Sequence, residues 1–425
     1  MREATGRAAD RAVLERALPG WLAERRWFGG KGEAGLRAHL LRATPLPGAD
    51  GLVLGAVRAE TCESAATYAV PTHADRLSDG FTDPGFVRWV VARLAENACV
   101  PDGAGELRCE RFAGFDLAPG ATVQLLSAEQ SNSSAVLGGR AVLKLLRKLA
   151  PGAHPEVEMA RYLTQAGFDQ VPPVLGTVTR VEGDERCLVM LVQRFVPNRG
   201  DGWSWTLAAL ADGRDYGPFA RRLGERLAAM HAVLAQHADD SAFEPEPLDA
   251  AGAAALGARV TAQVTRALAV HPMAAIDRDE LCARATAIAA RAEGQCRTRI
   301  HGDLHLGQLL VTEDADVVFI DFEGEPTRSL AERRTKDVAL RDVAGVLRSF
   351  DYAEAKAGRT DSGFRARAEA AFLAGYGVAS HPLLLLFLLE KAAYEVTYEA
   401  ANRPDWVDVP AHGLRRIAAQ LLEEG

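Results

Sequence analysis

The stretch Ile300-His301-Gly302-Asp303-Leu304-His305-Leu306-Gly307-Gln308-Leu309-Leu310, followed by Val317-Val318-Phe319-Ile320-Asp321-Phe322-Glu323, decides how this chain is read. Asp303, Asp321, the Gln308 amide and two histidines stand on short turns between leucine-rich and β-branched runs. Such turns present polar chemistry from a buried scaffold. His-Gly-Asp alone reads as a turn, and Asp-Phe-Glu alone as a strand end. Their order, with one strand-length hairpin between them, carries the information.

Transfer of a terminal phosphoryl group needs a carboxylate that orients the attacking hydroxyl and accepts its proton. It also needs oxygen ligands for a Mg2+ that neutralises the phosphates. Asp303 is the candidate base. Gln308 follows five residues later, the interval between Asp and Asn in the kinase pattern H-R-D-L-x-x-x-N, and its amide oxygen suits a hard cation. Asp321, at the end of an apolar strand, is the candidate second metal ligand. It stands where the aspartate of a kinase D-F-G would stand, here as Asp321-Phe322-Glu323. Magnesium prefers oxygen, so His301 and His305 are expected to be structural, with His301 donating to a backbone carbonyl or to Asp321.

Working outward, 425 residues exceed one ordinary core and suit two or three domains. With 48% hydrophobic and 25% charged residues, the composition is that of a soluble globular protein. The net charge of −8, without a Lys/Arg block, argues against nucleic acid as a partner. The first residues lack the apolar core of a signal peptide, and the strongest apolar run, Leu383 to Leu389, is too short to span a bilayer. A cytoplasmic protein without a membrane partner is expected, acting as a monomer. Six scattered cysteines form no C-x-x-C pair, so neither a zinc site nor a disulfide framework is expected.

In chain order, residues 8 to 27 read as a helix broken at Pro19, with Leu14, Leu18, Trp21, Leu22 and Trp27 on one stripe. Trp27-Phe28-Gly29-Gly30-Lys31-Gly32 lacks the spacing of a phosphate loop and reads as the helix end. Strand-type runs at Leu36 to Leu41, Leu52 to Val57 and Ala66 to Val70, then a helical run from Pro84 to Ala98, give a small α+β cap, assigned to residues 1–118. The lobe assigned to 119–197 begins at Val123-Gln124-Leu125-Leu126. It continues through a polar turn, Glu129 to Ser134, and a Gly138-Gly139 hairpin signal to Ala141-Val142-Leu143-Lys144-Leu145. Ser131, Asn132, Ser133 and Ser134 can offer donors to phosphates. Lys144 alternates inward on its strand and can reach phosphates too.

Pro155 opens a helix carrying Glu156 and Glu158, two residues apart and hence on different faces, so only one can pair with Lys144. Spacing does not decide which; Glu158 is taken as the provisional choice. The apolar strand Cys187 to Val192 ends in Gln193-Arg194-Phe195, whose edge backbone could read adenine, and Pro197 marks the change of lobe. Residues 198–425 read mostly as helix, with Asn198 to Asp201 next to the lobe change.

Strand lysine, helix glutamate, hinge strand, H-G-D loop and D-F-E follow the order of a protein-kinase-like fold. The chain resembles the aminoglycoside-phosphotransferase branch, and within it the actinobacterial maltokinases and the maltokinase-like glucosamine kinases. The resemblance rests on Trp27 to Gly32, Glu129 to Ser134, Asp201-Gly202-Trp203, His301 to Gln308, Asp321 to Pro326, Lys336-Asp337, Leu340 to Ala344, Tyr394-Glu395 and Arg403 to Trp406. It covers nearly the whole chain. Ordinary aminoglycoside phosphotransferases have Asn where Gln308 stands and usually lack the cap.

The resemblance implies an α+β, bilobal protein-kinase-like (aminoglycoside phosphotransferase-like) fold with an N-terminal α+β cap. It implies ATP- and Mg2+-dependent transfer to a sugar hydroxyl, with Asp303 as base, Gln308 and Asp321 on metal, and Lys144 on phosphate. Glucosamine kinase, giving glucosamine 6-phosphate, is the expected activity; a maltokinase giving maltose 1-phosphate and a catalytically silent kinase-like binding protein are the alternatives. A buried ammonium needs carboxylates nearby. Asp201, Glu395, Glu399, Asp405 and Asp408 are the acids in the segments expected to face the sugar, and Trp406 could stack on a pyranose. Glu395 and Glu399, one helical turn apart, read equally as a solvated stripe.

Overall fold

The computed structural model describes residues 15–118, 120–126, 131–325, 328–358, 363–379 and 381–423. Leu14 with the earlier part of the first expected helix, Glu129, Gln130 and Pro326 lie outside the described residues. The chain divides into two compact units. One runs to Arg161 and takes back Pro172–Val196; the other holds Tyr162–Val171 and the chain from Pro197 onward.

The first unit opens with helix α1, described at 15–23, followed by β1 (Arg37–Pro45), β2 (Leu52–Glu60) and β3 (Ala65–His73). These strands form an antiparallel meander. Leu18, Leu22, Trp27, Phe28, Val57 and Tyr68 pack together on it. The helix ends at 23, earlier than expected, and the Trp27 segment that follows it adds to the same core. Helix α2 (Pro84–Ala95) starts at Asp83, whose carboxylate accepts the Gly85 N–H, with Pro84 in the first turn. It buries Phe86, Val87, Val90, Val91 and Leu94.

Next come β4 (Cys99–Asp102), β5 (Gly105–Arg111), β6 (Val123–Leu126), β7 (Ser133–Leu137), β8 (Ala141–Leu145), β9 (Lys148–Leu149), α3 (Pro155–Gln165), β10 (Val174–Glu182) and β11 (Glu185–Arg194). Seven of them form one sheet in the order β4-β5-β10-β11-β8-β7-β6, while β9 adds to the edge of the meander. The boundary expected at 118 does not divide this sheet. β5 pairs with β10 along six registered positions, so cap and nucleotide lobe share strands and form one unit. The hairpin β4–β5 is an element the sequence reading passed over.

On β8, Leu143 and Leu145 enter the core, and the period of two turns Lys144 to the opposite face.

The second unit is mainly helical: α4 (Gly202–Asp212), α5 (Gly217–Leu234), α6 (Ala250–Val270), α7 (Arg278–Ala290), α8 (Leu330–Arg333), α9 (Leu340–Lys356), α10 (Phe364–Tyr376), α11 (Pro382–Asn402) and α12 (Asp408–Glu423). The helical run expected from Trp203 to Gln236 is broken at Gly213, which caps α4 in the left-handed region at φ 65°. Short strands β12 (Glu246–Pro247), β13 (Cys296–Thr298), β14 (Leu309–Val311), β15 (Val317–Phe319) and β16 (Asp337–Val338) bracket the His301–Gln308 loop. Among the described residues, no helix is long and apolar enough to cross a membrane.

Candidate active site

Helix α9 sets the catalytic loop. Asp342, Gly345 and Ser349 recur at spacings of three and four, so they share one helix face. Asp342 accepts the backbone N–H groups of His301 at 2.8 Å and Gly302 at 2.9 Å, and Ser349 Oγ accepts that of Leu306 at 3.2 Å. A Cβ on Gly345 would stand 2.2 Å from the Leu304 carbonyl oxygen, so only glycine lets helix and loop approach this closely. Gly302 turns the loop at φ 83°. Burial works against the Asp342 charge, but His231 Nε2 at 3.1 Å and the loop amides outweigh it and hold the carboxyl below its ordinary range. His301 donates through Nε2 to the Ile320 carbonyl at 2.9 Å, one of its two expected structural partners.

The loop presents Asp303 to a cation that sequence reasoning missed. Lys391 Nζ of α11 lies 3.0 Å from Asp303 Oδ1 and 3.8 Å from Glu325. Burial opposes the lysine charge, yet Asp303, Glu325 and Glu395 together hold it above the ordinary lysine range. The ammonium thus fixes one carboxylate oxygen of the candidate base.

Gln308 and Asp321 are adjacent: the amide Nε2 donates to Asp321 Oδ2 at 3.0 Å, which turns the amide oxygen away from Asp321. Asp321 adopts φ 65°, a left-handed conformation uncommon for a residue with a side chain and one that concentrates at functional sites. His305 Nδ1 accepts the Gly307 N–H at 3.0 Å, and burial lowers its pKa, so it serves as a neutral acceptor.

Lys391, Glu395 and Glu399 repeat every four residues along α11 and form a paired stripe, half-buried at Lys391 and Glu395 and buried at Glu399, against the solvated alternative. Arg348 Nε donates to Glu395 at 2.8 Å. Glu399 accepts from the Tyr352 hydroxyl at 3.2 Å and from Arg403 at 2.8 Å. Both acids therefore already have protein cations as partners, which weakens the argument that they stand ready for a substrate ammonium. Asp201 caps α4, its Oδ1 accepting the Ser204 N–H at 2.6 Å. Asp405 is exposed, and Trp406 stacks on Tyr352 with ring centroids 6.5 Å apart.

In the first unit, the strand lysine pairs with the other glutamate. Lys144 Nζ lies 3.0 Å from Glu156 Oε2, with both side chains buried, so the role provisionally given to Glu158 falls to Glu156. Two residues along α3 turn the side chain by roughly 200°, so one glutamate facing β8 sends the other elsewhere. Ser133 and Ser134 belong to β7, while Ser131 and Asn132 form the turn before it. At the end of β11, the Arg194 N–H donates to the Pro173 carbonyl and that of Phe195 to the Arg140 carbonyl, both within the unit. Those two donors are not available to a base. Gln193 pairs with Val142 and Val174 in the ladder.

Residues 122–381, well over half of the chain, match the phosphotransferase enzyme family, APH. The chain belongs to this family. Glucosamine kinase of Streptacidiphilus jiangxiensis is 28% identical over 411 residues, covering 88% of this phosphotransferase and 90% of the relative. That of Mycolicibacterium smegmatis is 28% identical over 333 residues, covering 71% and 79%. A solved glucosamine kinase in complex with glucosamine, ADP and inorganic phosphate superimposes with a TM-score of 0.68 at 26% identity, over 96% of this chain and 98% of that one. A second crystal form of glucosamine kinase gives 0.70 at 25% identity, covering 96% and 99%. The fold is the α+β, protein-kinase-like fold of the family.

Of the residues sequence reasoning missed, Asp342 had a signal in Leu340 to Ala344, quoted for its likeness without a role. Lys391 had only its place one turn before Glu395.

Proposed function

We propose that this phosphotransferase is a glucosamine kinase, moving the terminal phosphoryl group of ATP to the 6-hydroxyl of D-glucosamine. The likeness to glucosamine kinases over 96% of the chain, cap included, carries this reading. Asp303 accepts the hydroxyl proton as the sugar oxygen bonds to phosphorus and the bond to the ADP oxygen breaks. Lys391 holds Asp303 by one oxygen, leaving the other to the hydroxyl.

Gln308 and Asp321 are the residues that would hold Mg2+, because each can bring an oxygen; the Gln308 amide, whose nitrogen donates to Asp321, would turn over to present its oxygen. Bound there, Mg2+ would neutralise phosphate charge. Lys144, fixed by Glu156, and Ser131 to Ser134 serve the nucleotide. Asp201, Asp405 and Trp406 serve the sugar, with Glu395 and Glu399 acting through the cations they already hold.

The test is ADP release with Mg-ATP against glucosamine, glucose and maltose in parallel, with NMR to locate the phosphate. Preference for glucosamine with phosphate on carbon six is expected. Preference for maltose with anomeric phosphate, or no turnover on any of the three, overturns the reading.

A further inference from the structure

Lys391 is shared by two carboxylates from different segments of the second unit, Asp303 of the catalytic loop and Glu325. Glu325 stands four residues beyond Asp321 and is 6% exposed. Its Oε1 lies 3.8 Å from Lys391 Nζ and accepts from Arg341 Nη2 at 3.0 Å, while Arg328 Nε meets its Oε2 at 2.7 Å. Burial works against the Glu325 charge, but Arg341, Lys391 and Arg328 outweigh it and hold the carboxyl below its ordinary range. The two segments run side by side, since a Cβ on Gly302 would stand 3.8 Å from the Gly324 Cα. The cavity that Glu325 and Lys391 line with Gln263, Arg328 and Arg341 measures about 20 Å³, room for a single water and not for a sugar. From that side Glu325 can act on the reaction through the lysine, not on the substrate.

Arg328 and Arg341 alone would satisfy Glu325, so an ion cluster for stability does not require the lysine. The lysine does require Glu325, for two reasons. An ammonium is a point charge on a flexible stem, and one contact does not fix its direction. Its first partner also changes charge during the reaction. As the hydroxyl proton moves to Asp303, the negative charge beside the ammonium is lost while the ammonium stays positive. Losing the partner of a buried charge is costly, and that cost falls on the transfer step. Glu325 is a second partner whose charge two arginines maintain throughout.

We infer that Glu325 is a positioning residue for phosphoryl transfer, holding the Lys391 ammonium by a second contact and keeping it paired while Asp303 takes up the proton. The segment that carries Asp321 thereby also sets the base. This rests on Asp303 being the base.

The experiment is a double-mutant cycle in steady-state kinetics of the full chain with Mg-ATP and glucosamine, for wild type, Glu325→Gln, Lys391→Met and the double variant. Glu325→Gln is expected to lower kcat about tenfold with both KM values within about twofold. In the Lys391→Met background its effect on kcat should shrink below about twofold. Glu325→Asp keeps the charge but draws it back by one methylene, so kcat should fall only about threefold. Unchanged kcat in folded Glu325→Gln, or full additivity in the double variant, overturns the inference and leaves Glu325 a structural ion-pair member. Should Glu325→Gln not fold, Glu325→Asp carries the same cycle, and unchanged kcat there overturns it equally. Calorimetric titration with Mg-ATP in the absence of sugar should give Glu325→Gln an affinity within about twofold of wild type; a loss of about tenfold would make Glu325 a nucleotide-site residue and overturn the inference too. A wild type that phosphorylates none of the three sugars defeats the proposed function, and the cycle is then read on ADP release to water, where Asp303 has the same task. Glucosamine turnover with kcat unchanged in Glu325→Gln defeats only the inference.

Discussion

Lys144 and Lys391 each hold an ammonium 3.0 Å from a carboxylate, Glu156 in the first unit and Asp303 in the second, but the surroundings differ. The Lys144 pair is nearly sealed, with side-chain exposures of 9% and 2%, whereas Lys391 and Asp303 keep 19% and 20%. A sealed pair fixes a cation, and losing one member strands a buried charge at a cost of about 3–5 kcal/mol. A partly open pair fixes a carboxylate while leaving room for a reactant. The same contact thus serves as a scaffold in one unit and as a guide for chemistry in the other.

The largest expected effect breaks the open pair at its acid. Asp303→Asn keeps an oxygen for Lys391 but removes the proton acceptor, so turnover should fall by about 10³- to 10⁴-fold. Mg-ATP affinity should stay within about twofold in the same titration. Turnover near wild type would end the assignment of Asp303 as base.

The lysine comes next. Lys391→Met keeps the length of the side chain and removes the ammonium, which releases Asp303 Oδ1. A misoriented base should lower kcat about 10²-fold with little change in the KM for Mg-ATP. A variant that lost thermal stability but kept kcat within about threefold would make the open pair a scaffold too, erasing the contrast.

The sealed pair is sharpened by its neighbour. Glu156→Gln should raise the KM for Mg-ATP about tenfold and lower the thermal midpoint, while Glu158→Gln should change each by less than about twofold. Steady-state kinetics and melting curves on the two variants decide it, and the reverse ranking would return the role to Glu158.

The two pairs also separate what the sequence disclosed from what it concealed. Lys144 was legible from its place in chain order before the catalytic loop, although the strand period read as turning it inward sets it on the face opposite Leu143 and Leu145, and its partner lies only 12 positions away on the next helix. The choice between Glu156 and Glu158 needed the rotation of α3, which Pro155 alone does not fix. Lys391 pairs across 88 positions, and the spacing of Lys391, Glu395 and Glu399 is equally that of a solvated stripe. Periodicity reports a face; only tertiary packing reports what covers it. The β4–β5 hairpin did carry a signal, Asp102-Gly103 between alternating residues, with Leu107 and Cys109 buried, and it was overlooked. The Arg348 and Arg403 partners of the α11 acids come from α9 and the end of α11, so the acids looked more available than they are.

The smallest effect concerns His305, which feels the open pair from the side. Burial lowers its pKa first; Asp303 then pulls it up and Lys391 pushes it down. In the unfolded chain the imidazole titrates near 6.5. As pH falls below that value, the unfolded state binds a proton that the folded state refuses, so this group's contribution to stability declines as pH falls. The decline levels off below the folded pKa, where both states are protonated. The wild-type thermal midpoint should therefore drop by about 2 °C from this group between pH 7 and 5.5. His305→Asn, which keeps an acceptor for the Gly307 N–H, should flatten that part of the slope. Lys391→Met should give an intermediate slope, because removing the ammonium eases protonation of His305 in the fold. Equal slopes in all three proteins would mean that the charge on Lys391 does not reach His305, and the open pair would then act on Asp303 alone.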